Sequence, residues 1–149
     1  LWITIGAVAF SGIFSALGGV DFIKDTLLGM EVSPYLILVG ILIIIFLLGM
    51  FIDPGGIIWI VCPIAYPILK DIGFDLIWCS VLMVMGVMLG YITPPFGFNL
   101  FYLKSIVPDD VQMMDIYRAV LPFIAIMVAA LVLVFVFPNI ALWFPNMMM

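Results

Sequence analysis

The chain contains no histidine and few charged residues, and these absences exclude several classes of function. Only 9% of its 149 residues are Asp, Glu, Lys or Arg, whereas 68% are hydrophobic. Soluble domains average about 25% charged residues. The lack of histidine excludes histidine-based catalysis and most zinc sites, and the four Lys and Arg residues form no basic stripe that would bind nucleic acid. The composition therefore predicts an integral membrane protein, surrounded by a lipid bilayer, that is not an enzyme.

Cysteine is also scarce, which argues against a disulfide framework or a metal-binding motif. Cys62 and Cys79 lie in apolar stretches and do not form a C-x-x-C pair, so we expect buried or lipid-facing thiols. The acidic residues cluster at 21–31, 71–75 and 109–115, as is typical of solvated loops. No signal-peptide pattern is recognisable. We interpret the chain as a piece of a longer polytopic protein that would not enclose a transport pathway alone.

The apolar stretches predict an all-α membrane protein. Residues 1–28 are expected to form a membrane helix whose small residues favour close helix packing. Residues 76–107 predict one discontinuous helix, interrupted between residues 91 and 97. Residues 117–137 predict a final transmembrane helix.

The stretch 34–70 favours a re-entrant helical hairpin, which enters the membrane and leaves on the same side. Its second arm, 57–69, offers only about 13–16 helical residues, or roughly 20–24 Å, against a hydrocarbon core about 30 Å thick. Such an arm is too short to cross the bilayer. The alternative is a pair of ordinary spans joined by a short turn outside the membrane at Asp53.

Two helix-start signals lie inside apolar runs, where a membrane helix is not expected to begin. One is Asp53-Pro54-Gly55-Gly56 and the other is Thr93-Pro94-Pro95. Each places an N-cap residue before a proline at the first helical position. Broken backbone within the hydrocarbon is tolerated only where it is buried in protein or lines a cavity. The two interruptions are therefore the strongest pointers to function.

Asp53 is the only acid between residues 35 and 69, and its charge requires compensation. A carboxylate at the bilayer centre costs at least about 2.5 kcal/mol. The amino end of the helix that follows stabilises negative charge, and a bound cation would stabilise it further. Carbonyls near Gly49 would supply further ligands for Na⁺, as at broken transporter helices. The alternative is that Asp53 only caps a helix near the membrane interface.

The second interruption, at Thr93-Pro94-Pro95, is interpreted in the same way. The Thr93 hydroxyl is predicted to cap a helix that resumes at Pro94. The carbonyls of residues 90–92, including Ile92, are expected to become cation ligands because the following prolines have no N–H. Asn99 lies one turn further on and is polar in an apolar setting. The alternative is a proline-kinked helix that binds nothing.

The segments GMFIDPGGIIWIVCPIAYPILKDIGFDLIW and GYITPPFGFNLFYLKSI resemble the C-terminal part of the large membrane subunit of TRAP (tripartite ATP-independent periplasmic) transporters. This resemblance extends over residues 1–149 as a single C-terminal fragment and is densest over 45–105. It implies half of an inverted-repeat elevator fold, in which hairpin tip and helix break bind Na⁺ and border the substrate site. The implied Na⁺ positions are Gly49, Asp53, Ile92 and Thr93, and the implied substrate positions are Pro54, Gly55, Pro94 and Asn99.

The resemblance also implies an activity and partners. It predicts Na⁺-coupled secondary transport of a small organic acid, a dicarboxylate or related carboxylate, across the bacterial inner membrane. A periplasmic substrate-binding protein would deliver the substrate, and a small membrane subunit would brace the permease. The chain lacks the first inverted repeat and should not transport alone. The alternative is a non-transporting membrane scaffold subunit whose proline kinks serve only packing.

Overall fold

The computed structural model describes residues 2–29 and 32–148, and within these ranges the chain is entirely helical, with no strand. The expectation of an all-α fold is confirmed for this part of the chain, whereas the loop residue Glu31 lies outside it. The eight helices are α1 (Trp2–Ala16), α2 (Gly19–Gly29), α3 (Pro34–Gly49), α4 (Pro54–Asp71), α5 (Leu76–Ile92), α6 (Phe98–Ile106), α7 (Met113–Val136) and α8 (Asn139–Met148).

The single membrane helix expected over residues 1–28 is two helices, and this expectation is corrected. The chain bends by 66° between α1 and α2. Gly18 at the bend has a φ of 75°, a left-handed conformation that glycine adopts without steric cost. A Cβ at Gly19 would lie 2.6 Å from the Phe14 ring. The two glycines therefore permit a bend that other residues would resist.

Helices α3 and α4 form the hairpin over residues 34–70, with a short turn between Gly49 and Pro54. α3 has 16 residues and α4 has 18, so α4 is longer than the 13–16 residues expected from the sequence. Helix α4 continues through Pro63, whose missing N–H frees the carbonyl of Trp59. The hydroxyl of Ser11 on α1 donates a hydrogen bond of 3.3 Å to that carbonyl. The neighbouring helix thus satisfies the group that the proline exposes.

The discontinuous helix consists of α5 and α6, separated by a non-helical segment at residues 93–97. Helix α7 begins four residues earlier than position 117 because Gln112 and Asp115 form a capping box around its first turn. Helix α8, which follows α7, is not predicted from the sequence. Among the described residues, α7 alone is long and apolar enough to cross a membrane as one straight helix, and the bent α1–α2 pair qualifies only if it counts as one span.

The core lies where α3, α4, α5 and the end of α7 meet. At the base of the hairpin, the buried Trp78 donates from Nε1 to the Val134 carbonyl at 2.8 Å. Lys24 on α2 forms an ion pair of 2.6 Å with Asp71 at the same end. Since α3 and α5 both run away from this base and pack along their length, the hairpin tip is brought to the level of the break. Their buried facing residues are Leu38, Leu42, Ile45, Leu82, Met83 and Val87.

Candidate functional site

Glycines bring the carboxyl ends of α3 and α5 into backbone contact. A Cβ at Gly90 would lie 2.5 Å from the carbonyl oxygen of Phe46 and 2.9 Å from the Cα of Gly49. A Cβ at Gly49 would lie 3.0 Å from the carbonyl oxygen of Val87. Gly86 and Gly90 have the spacing of the G-x-x-x-G packing motif, in which small residues let membrane helices approach closely. Of these two, only Gly90 lies in such a close contact, because a Cβ at Gly86 would meet the Ile45 side chain at an ordinary 3.5 Å. The hairpin tip and the helix break are therefore held against each other.

Asp53 occupies the position predicted for it, at the start of α4. Its Oδ2 accepts a hydrogen bond of 3.0 Å from the backbone N–H of Gly55, and Pro54 is the first helical residue. Its Oδ1 accepts from the hydroxyl of Tyr91, at 3.5 Å, near the end of α5. The cap thus orients one carboxylate oxygen into the helix and the other towards the break.

Thr93 does not start a helix, and the expectation that it caps a helix resuming at Pro94 is wrong. It ends α5: its N–H donates to the Gly90 carbonyl at 3.1 Å, and its hydroxyl donates to the Leu89 carbonyl at 2.6 Å. The Gly90 carbonyl is therefore not free, contrary to expectation. Helix α6 begins only after the N-cap Gly97. The physical reason is the second proline, because a residue that precedes a proline is disfavoured in the α region, and here that residue is Pro94.

The break turns its own carbonyls inwards around a glycine. A Cβ at Gly97 would lie 2.8 Å from the Tyr91 oxygen and 3.0 Å from the Thr93 oxygen, so only glycine fits there. The Gly97 N–H donates to the Thr93 carbonyl at 3.1 Å. Across the contact, the rings of Phe51 at the tip and Phe96 in the break lie 5.0 Å apart.

A cavity of about 220 Å³ opens beside this contact. It brings together three of the predicted site residues, Pro54, Ile92 and Asn99. The other five predicted site residues are not among its lining residues: Gly49, Asp53, Gly55, Thr93 and Pro94. Met127, the fifteenth of the 24 residues of α7, also faces it. The cavity therefore lies level with the middle of that helix. Its other lining residues are Ile58, Val84, Val87, Met88 and Tyr91.

The donors near the tip are oxygen atoms, which suit hard cations better than soft transition metals. Among the described residues, no group of three or more Cys, Asp or Glu residues could hold a metal ion. The groups that meet at the tip are one carboxylate, from Asp53, and main-chain carbonyls at the ends of α3 and α5. Oxygen ligands of this kind coordinate hard cations, including Na⁺ in broken transporter helices.

Two features that shape this site were not predicted from the sequence: the contact of Tyr91 with Asp53 and the close helix contact at Gly90. Tyr91 contacts Asp53, but nothing in its immediate sequence distinguishes it from an ordinary interfacial tyrosine. The pairing of Gly86 with Gly90 was detectable, since glycines four residues apart in an apolar helix predict a close helix contact.

The sequence of the chain is similar to a family of known proteins. The family model described as "Tripartite ATP-independent periplasmic transporter, DctM component" matches residues 1–140. The large permease protein DctM of the Vibrio cholerae C4-dicarboxylate TRAP transporter is 32% identical over 87% of this chain, and its Pseudomonas aeruginosa counterpart is 30% identical over 98%. The sialic acid TRAP transporter permease SiaT of Haemophilus influenzae is 32% identical over 85%.

The chain spans only part of these relatives. It covers 28% of the Vibrio protein, 34% of the Pseudomonas protein and 20% of the Haemophilus protein. Because the family model matches residues 1–140, nearly all of the sequence, the chain belongs to the DctM family of TRAP transporter large permease components.

Proposed function

We propose that the chain is the C-terminal transport-domain portion of a Na⁺-coupled TRAP permease for a small organic acid, a C4-dicarboxylate or related carboxylate. The proposed setting is the bacterial inner membrane, with a periplasmic binding protein delivering substrate and a small membrane subunit bracing the permease. The observation that carries this proposal is the packing of hairpin tip against helix break, with the Asp53 carboxylate turned towards Tyr91.

Electrostatics favours a cation at this contact. The carboxyl ends of α3 and α5 each carry a partial negative charge, and here they lie side by side at Gly49 and Gly90. Asp53 adds a full negative charge beside them. A Na⁺ ion held by Asp53 and by carbonyls near Gly49, Ile92 and Thr93 would neutralise this concentration of charge.

The lengths of the hairpin arms support a re-entrant arrangement. Helices of 16 and 18 residues are about 24 and 27 Å long, against a hydrocarbon core of about 30 Å. Neither arm is as long as the hydrocarbon core is thick, so the tip would end within the membrane. A tip that ends there would need the protein cavity and the ion to satisfy its backbone.

The proposed substrate position follows from the same geometry. The amino end of α4, which begins at Pro54 and Gly55, carries the positive end of the helix dipole, and this partial charge would stabilise a carboxylate bound beside the break. Pro94 and Asn99 would border that group from the other side. The close glycine contact between tip and break favours movement of both as one unit, as in an elevator mechanism, while binding of Na⁺ orders the tip and thereby favours substrate binding.

Transport by the full-length complex in proteoliposomes tests the proposal. Uptake of radiolabelled succinate and of sialic acid would be measured with and without a Na⁺ gradient for the wild type, Asp53→Asn and Thr93→Ala. We expect Asp53→Asn to abolish most Na⁺-dependent uptake and Thr93→Ala to weaken it. Wild-type Na⁺ dependence in both variants would contradict the ion site.

The matched control is Asp75→Asn. Asp75 also caps a helix, accepting hydrogen bonds from the N–H groups of Ile77 and Trp78 at 2.8 and 3.0 Å, but it lies at the base of the hairpin. Asn is as good an N-cap as Asp, so both substitutions preserve capping. The Asp75→Asn variant should keep Na⁺-dependent uptake, and an equal loss in both variants would show that the effect is not specific to the tip.

A further inference from the structure

The Tyr91 side chain connects all three segments of the tip–break contact, α4, α5 and α6. It belongs to the last turn of α5, its ring stacks on Phe98 at the start of α6, and its hydroxyl reaches Asp53 at the start of α4. The stacked rings lie 5.5 Å apart at an angle of 26°. The ring is therefore held from across the break while the hydroxyl contacts the tip.

We propose that Tyr91 is a positioning residue for the cation site. Its hydroxyl holds the Asp53 carboxylate in place, and Tyr91 does not itself bind the ion. This inference rests on the proposed function. The Gly55 N–H fixes Oδ2 of Asp53, whereas Oδ1 is held by the Tyr91 hydroxyl. Without that hydroxyl, Oδ1 loses the hydrogen bond that joins the tip to the end of α5.

The length of this hydrogen bond is consistent with a positioning role. At 3.5 Å the oxygens are farther apart than in an ordinary hydrogen bond between oxygens, which is about 2.5–3.0 Å long, and in our proposal the contact tightens when a cation completes the site. A hydroxyl that is already aimed at the carboxylate reduces the ordering that cation binding must bring about. Tyr91 thereby raises cation affinity through preorganisation of Asp53.

The effect should be visible in Na⁺ binding alone, without knowledge of the substrate. The purified full-length permease would be titrated with NaCl at constant ionic strength, with choline chloride as replacement, and the unfolding temperature recorded at each concentration. A ligand that binds only the folded state stabilises it by RT ln(1 + c/Kd), where c is here the Na⁺ concentration. A fit of the titration to this relation gives the dissociation constant, which is the half-saturating Na⁺ concentration.

The decisive variant is Tyr91→Phe, which keeps the ring and removes only the hydroxyl. We expect its half-saturating Na⁺ concentration to rise about three- to tenfold, as for loss of one hydrogen bond. Tyr35→Phe is the matched control, because Tyr35 packs against Phe74 and Phe135 at the base of the hairpin. Its titration should coincide with that of the wild type.

A second variant covers the case in which Tyr91→Phe does not fold. Phe98→Leu keeps the hydroxyl but removes the ring that Tyr91 stacks on, and we expect a smaller shift in the same direction. A purely structural role would lower the unfolding temperature without Na⁺ and leave half-saturation unchanged, and that result would overturn the proposal.

Asp53→Asn separates this inference from the proposed function. If Asp53→Asn loses the Na⁺ response while Tyr91→Phe coincides with the wild type, the role of Tyr91 is wrong and the ion site stands. If Asp53→Asn keeps the wild-type response, the ion site is wrong, and the positioning role is overturned with it.

Discussion

The two interruptions carry the same sequence signal, yet they fold differently. Asp53 and Thr93 each precede a proline in an apolar run. Asp53 starts a helix, whereas Thr93 ends one and turns its hydroxyl back to the Leu89 carbonyl. The first proline is followed by Gly55, and the second by another proline, which disfavours helical geometry at Pro94. A cap followed by proline therefore marks an interruption, but the next residue decides where the new helix begins.

The hairpin tip and the helix break also differ in the chemical groups that they contribute. The tip contributes a charged side chain, whereas the break contributes mainly main-chain groups arranged around Gly97. Tyr91 reaches from the break to the charge at the tip. The glycine contact between α3 and α5 brings the charge of the tip and the carbonyls of the break together, as the proposed cation site requires.

The largest expected effect is on that glycine contact. Gly90→Ala would place a Cβ 2.5 Å from the Phe46 carbonyl oxygen, so the backbones must separate, and overpacking of this kind costs about 1–3 kcal/mol. We expect a clearly lower unfolding temperature in the full-length protein. Gly86→Ala is the matched control, because its nearest contact would be the Ile45 side chain at 3.5 Å. Similar losses in both variants would contradict close packing at Gly90 alone.

An intermediate effect distinguishes the two cap residues directly. Asp53→Ala removes a side-chain cap and should cost about 1 kcal/mol. Thr93→Ala removes only a hydroxyl that bonds within its own helix, so the unfolding temperature without Na⁺ should fall less. Thermal unfolding of both variants in Na⁺-free buffer measures the difference. The reverse order would indicate that Thr93, and not Asp53, stabilises a helix start.

The smallest expected effect concerns the support of the break by α7. The Tyr117 hydroxyl donates a hydrogen bond of 2.7 Å to the Pro95 carbonyl. Because this hydrogen bond is exposed, Tyr117→Phe should cost only about 0.5 kcal/mol and lower the unfolding temperature slightly. The exposed Tyr102→Phe serves as the comparison. If Tyr117→Phe matched Gly90→Ala in effect, the break would depend on α7 more than on the hairpin tip.

Periodicity and punctuation in the sequence were sufficient to predict much of the fold. The two helices over 34–70 and the interruption before Phe98 follow from charge-free runs that end at proline and glycine, whereas the re-entrant placement of this helix pair stays a prediction. The bend at Gly18 was not foreseen because a glycine in an apolar run is compatible with an unbroken helix. Helix α8 is not predicted because prolines at positions 138 and 145 favour the end of a helix, whereas α8 begins directly after Pro138 and contains Pro145.

The candidate site was predictable only in part. Asp53 was identified because an acid in an apolar run requires compensation, and its capping role follows from the adjacent proline. The partners of such a residue depend on how α3 packs against α5, which local sequence does not specify. The contact of Tyr91 with Asp53 therefore could not be predicted from the sequence, and only the packing of the helices places its hydroxyl 3.5 Å from the carboxylate.

The most direct test is equilibrium binding of ²²Na⁺ to the purified full-length permease, comparing the wild type with Asp53→Asn and Asp75→Asn. The account predicts that Asp53→Asn loses at least one bound Na⁺ per permease, because the tip then lacks its only charged ligand. Asp75→Asn should bind as many ions as the wild type with the same affinity. Unchanged ²²Na⁺ binding by Asp53→Asn would contradict the claim that hairpin tip and helix break together form a cation site.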